Sequence, residues 1–359
     1  MNVEESWKIT RGGQNCTIGV IDTGFDFFHP ALHSNIKPGW FASGVYHTDF
    51  FSMDAHGTLV SSIISARRKE GENGMWGMAP DCTILTASIG MPVHKLIQLQ
   101  NEVFARNPQA TMSDLQKEMQ TRADELNSFG KSWLYYVSGS VAEAIRYLTD
   151  KGVRVINISI DLNLSTADQI EPSFRTRLID AFNYAKQKDT LIVLASGNND
   201  QRVMEYPGDR TFVLIAGAST LKDKRWTMSV EIQDMEIKQG SSYGPRLNVV
   251  APTENIVTAV PHEEAFYNWK DTPMGEQKVP FENLYQITQY GATSSAAPQV
   301  ASLAALVRSI RPDLKAGEVI RIIEGGADDI GAIGFDEETG YGRINFLRTL
   351  ELARKHTVQ

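Results

Sequence analysis

Short, nearly continuous apolar runs recur along this chain. Segments whose apolar positions repeat every three or four residues lie between them. Residues 16–21, 82–89, 153–160, 191–195 and 212–216 are such runs, and Val249-Val250 belongs to a sixth. Runs without polar alternation suit strands buried on both faces. Between the second and third runs, residues 140–151 place Val141, Ala144, Ile145 and Leu148 on one helical face, and Gly152 supplies the stop. Residues 182–188 form a weaker helical segment. Leu59, Val60, Ile63 and Ile64 follow His56 at helical spacing. Residues 295–308 are small and apolar nearly all round, which predicts a buried helix with Pro298 tolerated in its first turn. Residues 314–324 are amphipathic. Strands alternating with helices predict an α/β fold of three layers, a mainly parallel sheet flanked by helices.

Composition narrows the function classes. Of 359 residues, 42% are hydrophobic and 22% charged, an ordinary globular balance. The net charge is −8 and no long basic run offsets it, which argues against nucleic acid. No apolar stretch approaches the roughly 20 residues that span a bilayer, so no membrane partner is expected. The first residues, Met1-Asn2-Val3-Glu4-Glu5-Ser6-Trp7, have neither a basic n-region nor an apolar h-region. Cys16 and Cys82 each open an apolar run and are expected to be buried free thiols, although neighbouring strands would allow a disulfide. Together these features favour a reducing, cytoplasmic setting.

Three stretches carry the chemistry. They are Val20-Ile21-Asp22-Thr23-Gly24, His56-Gly57-Thr58 and Ala292-Thr293-Ser294-Ser295-Ala296-Ala297-Pro298. Hydrolysis of an amide through a covalent intermediate needs a nucleophile, a base to take its proton and a group to orient the base. Asp22 closes a buried strand, His56 opens a helix and Ser294 precedes the small-residue helix. Strand carboxyl ends are where α/β proteins place their sites. Asp-Thr-Gly also occurs in aspartic proteases, but those need two such loops and a second copy is absent.

The order Asp, His, Ser differs from the chymotrypsin and α/β-hydrolase orders. With the local motifs it resembles the subtilase family of serine peptidases. Supporting stretches are Val155-Ile156-Asn157-Ile158-Ser159, Tyr206-Pro207-Gly208, Ser241-Ser242-Tyr243-Gly244-Pro245, Val250-Ala251-Pro252 and Gly340-Tyr341-Gly342-Arg343-Ile344-Asn345. The resemblance runs from about Trp7 to Leu347. It implies a single domain over residues 1–359 with about seven strands in its sheet. It implies a serine endopeptidase in which Ser294 attacks, His56 shuttles the proton and Asp22 orients His56. The Ser294 N–H and the Asn198 amide would hold the oxyanion, and peptide or protein is the expected substrate. Ser159 and Asp161 fall on the strand that pairs with substrate. Glu205 falls at the floor of the P1 pocket, where a carboxylate would favour Lys or Arg. A non-catalytic binding module and a peptide ligase or macrocyclase remain as rival readings of the same residues.

The chain also departs from the family. Leu59 stands for a second histidine, Ala292 for a glycine and Asp161 for a glycine. Ala31 stands where many secreted members have a calcium-ligating aspartate, so no cofactor is expected and a structural calcium is doubtful. The family's secreted members carry a propeptide, whereas the similarity here starts almost directly after Met1, which points to an intracellular member or a longer parent chain. Two insertions interrupt the similarity. At about 92–130, Leu96, Leu99, Val103 and Phe104 suit one helix, and Leu115, Met119, Ala123 and Leu126 suit another. That helical hairpin is a candidate lid or docking surface for a regulatory protein. The smaller insertion covers about 262–288.

Overall fold

A computed structural model describes residues 1–42, 56–68, 74–89, 106–107, 140–162, 172–232, 235–260, 277–278, 285–288 and 292–357. The hairpin predicted at 92–130 lies outside the described residues except for 106–107, and the smaller insertion is described only at 277–278 and 285–288.

In chain order the elements are α1 (Val3–Ser6), β1 (Gly12–Asp22), β2 (Ile36–Phe41), α2 (His56–Ser65), β3 (Asp81–Ser88), α3 (140–150) and β4 (Val155–Ile158). Then come α4 (Pro172–Gln187), β5 (Leu191–Ala195), β6 (Val213–Ser219), β7 (Thr227–Ile232), β8 (Met235–Gly240), β9 (Val249–Pro252) and β10 (Ile256–Ala259). Last are β11 (Gln277–Lys278), β12 (Tyr285–Thr288), α5 (Thr293–Ile310), α6 (Ala316–Gly326) and α7 (Phe346–Lys355).

Seven strands join in one sheet in the order β2-β3-β1-β4-β5-β6-β9, and every pairing is parallel. The expected three-layer α/β architecture is therefore present, with helices covering the strands. β4, β5, β6 and β9 are buried at every residue, as their largely apolar sequences require, with Asn157 in β4 and Ser219 in β6 the buried polar positions. β2 is different. Its Pro38 and Gly39 erase the strand signature, and its register against β3 shifts between Lys37 and Trp40. An edge position tolerates both residues because one side of the strand needs no ladder. β7 and β8 form an antiparallel hairpin, and β10, β12 and β11 form a small sheet, so part of the smaller insertion extends β10.

The strand order reverses direction between β1 and β4. Chain following β1 builds β2 and β3 on one side, and chain from β4 onward builds the other side. Crossovers on the two sides leave a crevice at the carboxyl ends of β1 and β4, the usual place for a site in such sheets.

α5 is the core helix. It packs on β1, β4, β5, β6 and β9 and also against α2. Ala296, Ala297, Val300, Ala301, Leu303, Ala304, Leu306 and Val307 are buried, and each fully buried Leu or Val contributes about 1.5–3 kcal/mol. The helix starts at Thr293, earlier than expected, so Pro298 lies inside the helix, beyond its first turn.

Cys16 and Cys82 are not free thiols. The register Thr17↔Thr83 sets them side by side on β1 and β3, and they form a disulfide with a Cα–Cα distance of 4.8 Å. The sequence could not show that two runs 66 residues apart are sheet neighbours. Among the described residues no helix is long and apolar enough to cross a membrane.

Candidate active site

The site forms around the last residue of β1. Asp22 is fully buried, and its Oδ1 accepts from the Thr23 N–H at 2.7 Å and from His56 Nδ1 at 2.6 Å. Oδ2 makes no hydrogen bond among the described residues. An ionised carboxylate only accepts, so the contact places a proton on Nδ1 and leaves Nε2 as the acceptor of neutral His56. His56 is the first residue of α2, and its side chain is 36% exposed against 0% for Asp22. Gly57 explains how the two meet. A Cβ there would overlap the Thr23 carbonyl oxygen, and the Gly57 N–H bonds that oxygen at 2.8 Å. Only glycine lets α2 begin directly against the end of β1.

Ser294 is the second residue of α5 and is partly exposed. Its N–H lies among the first-turn donors that have no intrahelical acceptor. Its Oγ donates to the Ser159 carbonyl at 3.1 Å, and the Ser159 Oγ donates to the Ser294 carbonyl at 3.1 Å. Ile21 pairs with Ile158, so Ser159 follows β4 at the position alongside Asp22. Adjacent strands lie about 4.8 Å apart. The structure therefore anchors Ser294 to the strand position next to Asp22, while Asp22 binds His56. α2 and α5 pack together, each with its candidate residue in its first turn. Ala292 is extended at φ −77° and ψ 176°, a conformation any residue adopts, so its departure from glycine leaves the turn intact.

Asn198 follows β5 through Gly197, whose φ of +97° favours glycine. Asn198 Oδ1 accepts from the Thr293 N–H at 2.9 Å and the Thr293 hydroxyl at 2.8 Å. Both partners donate, so the oxygen must face α5 and the amide Nδ2 points away from it as a fixed donor.

Two acidic residues border this edge. Asp161 lies against Gly197, where a Cβ would come within 2.9 Å of its Oδ2, and Asn199 Nδ2 lies 3.4 Å from that oxygen. Glu205 is turned to Arg175 of α4, whose Nη2 donates to its Oε1 at 2.6 Å, and its side chain is 54% exposed. Beside it, Tyr206 is buried and donates to the Ser196 carbonyl at 2.7 Å, and burial pushes its phenol far above the ordinary range. At position 31 the buried alanine offers no side-chain oxygen for calcium, so the residues there do not fit that ion. Among the described residues no group of three or more His, Cys, Asp or Glu could hold a metal.

Thr23, Asn157, Thr293 and Arg175 support the site; the first three lie within the motif stretches without a role assigned from sequence, and Arg175 lies outside them. Asn157 had a signal, since an amide inside a buried apolar strand demands a partner. It finds one in Ser159 Oγ at 3.0 Å. Arg175 had none, because 30 residues separate it from Glu205.

Residues 13–342 match the subtilase family, and the chain belongs to that family. A thermophilic serine proteinase from Bacillus sp. strain AK1 is 28% identical over 95% of this chain and 63% of its own length. Mycosin-1 of Mycobacterium tuberculosis is 28% identical over 98% of this chain and 71% of its own. The crystal structure of fervidolysin from Fervidobacterium pennivorans, a keratinolytic enzyme related to subtilisin, superposes with a TM-score of 0.65 at 22% identity. That similarity covers 97% of this chain and 44% of fervidolysin. The chain thus spans well under the full length of some relatives it matches.

Proposed function

We propose that this chain is a serine endopeptidase that cleaves peptides or proteins through an acyl-enzyme. Ser294 Oγ attacks the scissile carbonyl while His56 Nε2 takes its proton. The new oxyanion accepts from the Ser294 N–H and Asn198 Nδ2. His56 then passes the proton to the leaving amine as the C–N bond breaks. Water, deprotonated by His56, releases the acyl group from Ser294. Asp22 keeps the imidazole in the required tautomer and stabilises the imidazolium. The 2.6 Å contact of His56 with fully buried Asp22, beside the strand end that holds Ser294, carries this reading. For attack the Ser294 hydroxyl must turn from the Ser159 carbonyl to His56, a tightening that accompanies substrate binding in many enzymes.

The reading extends to a preference for Lys or Arg at P1. Asp161 next to Gly197 supports a negative wall beside Asn198. Glu205, itself half-exposed, contributes by exchanging its Arg175 partner for the substrate cation. The disulfide shifts the compartment proposal from cytoplasmic to oxidising, because the cytoplasmic expectation rested partly on free thiols.

A peptide library with mass-resolved products tests the whole reading. Hydrolysis after Lys or Arg is expected, with turnover lost on Ser294→Ala. Joined products would indicate transfer to an amine. Apolar P1 selection unchanged by Asp161→Asn and Glu205→Gln would remove the specificity proposal, and turnover surviving Ser294→Ala would remove the mechanism.

A further inference from the structure

Pro298 removes the helical donor of one carbonyl at a consequential place. In an α-helix each carbonyl accepts the N–H four residues on. For Ser294 that residue is Pro298, inside α5, and proline has no N–H. The proline ring also crowds the carbonyl four residues back and pushes it off the helical path. The oxygen left without its helical donor therefore belongs to the residue that carries the candidate nucleophile.

Ser159 supplies the missing donor. Its Oγ lies 3.1 Å from the Ser294 carbonyl. The direction of its proton is set from behind, because Nδ2 of fully buried Asn157 donates to the same Oγ at 3.0 Å. With one lone pair engaged, the Ser159 proton is left for the Ser294 carbonyl. In return the Ser294 hydroxyl donates to the Ser159 carbonyl at 3.1 Å. Two hydrogen bonds of opposite direction thus tie the end of β4 to the first turn of α5.

We propose that Ser159 is a positioning residue for the nucleophile: its hydroxyl stands in for the helical N–H that Pro298 lacks and fixes the Ser294 backbone. This rests on the reading of Ser294 as nucleophile. The Ser294 N–H and Oγ must both be placed to within a fraction of an ångström for oxyanion binding and attack, and the clamp acts on the peptide unit that follows them. Removing the Ser159 hydroxyl leaves its main chain, whose carbonyl accepts from Ser294 Oγ, in place.

Ser159→Ala is therefore expected to lower kcat about tenfold, with KM within about twofold of wild type and the fold intact by circular dichroism. Pro298→Ala on that background puts an N–H back under the Ser294 carbonyl. The double variant is expected to recover kcat to within about threefold of Pro298→Ala alone. Wild-type kcat in Ser159→Ala, a loss confined to KM, or a kcat loss that Pro298→Ala does not relieve would each overturn the proposal. Ser294→Ala in the same series separates the two levels. If it retains turnover, the nucleophile assignment fails, whatever Ser159→Ala does.

Discussion

Replacing Asp22 by asparagine isolates the electrostatic part of the mechanism. Asparagine keeps the shape of a side chain that has no room to move, since Asp22 is fully buried. The Thr23 N–H and His56 Nδ1 both donate to Oδ1, so the amide oxygen can stand there and keep both contacts and the tautomer. What changes is the charge. The pairing of a carboxylate with the imidazolium is lost. Over the observed 2.6 Å, Coulomb's law at an effective dielectric of about 20 gives about 6 kcal/mol. Water reaches the partly exposed imidazole and trims that figure, so a loss of about 10⁴-fold is expected. His56 is charged only along the reaction path, so the loss falls on kcat and leaves KM nearly unchanged. Steady-state kinetics on a chromogenic peptide, with circular dichroism to confirm the fold, measures it. A folded variant that loses less than about tenfold in kcat would refute the assigned role of Asp22.

Asn198→Ala removes the proposed oxyanion donor and should lower kcat about 10²–10³-fold, and a loss appearing only in KM would contradict that placement. Removing the disulfide as Cys16→Ala with Cys82→Ala frees a loop of 66 residues and should lower the unfolding free energy by about 4 kcal/mol in a denaturant titration. Activity at 25 °C should survive, because Cys16 lies in the middle of β1, well before Asp22 at its end. Asp189 yields an acid-sensitive prediction. Burial alone would raise its pKa, but the Ala316 N–H, Arg308 and Arg154 together hold it below the ordinary carboxylate value of 3.8. A depressed carboxylate stabilises the fold above its unfolded pKa and loses that contribution as pH falls through the folded one. The stability gap between wild type and Asp189→Asn should be constant from about pH 5 to 8 and shrink below about pH 4. A gap that widens in acid would reverse the sign of the argument.

Much of the fold was legible because buried parallel strands leave a plain mark. β5 was read to the residue, and β3, β6 and α6 to within a few. β2 was not, since Pro38 and Gly39 belong to no strand pattern and are tolerated only at an edge. β7 carries a weaker mark, because Thr227-Met228-Ser229-Val230-Glu231-Ile232 alternates polar and apolar residues, as a half-covered hairpin strand does. Pro298 lies deeper in α5 than the small-residue pattern from Ser295 predicts, because Thr293 and Ser294 already belong to the helix. At the site, motif order points to Asp22, His56 and Ser294, and the family resemblance adds Asn198. The ion pair of Glu205 with Arg175, the disulfide, and the Asn157–Ser159–Ser294 chain depend on which elements become neighbours, and local sequence does not encode that directly.

If His56 makes Ser294 nucleophilic, a fluorophosphonate probe reports it. Treatment followed by digestion and mass mapping is expected to give one phosphonyl adduct, on Ser294, formed in wild type and lost on His56→Ala. An unlabelled wild-type chain, an adduct on another residue, or equal labelling without His56 would contradict it.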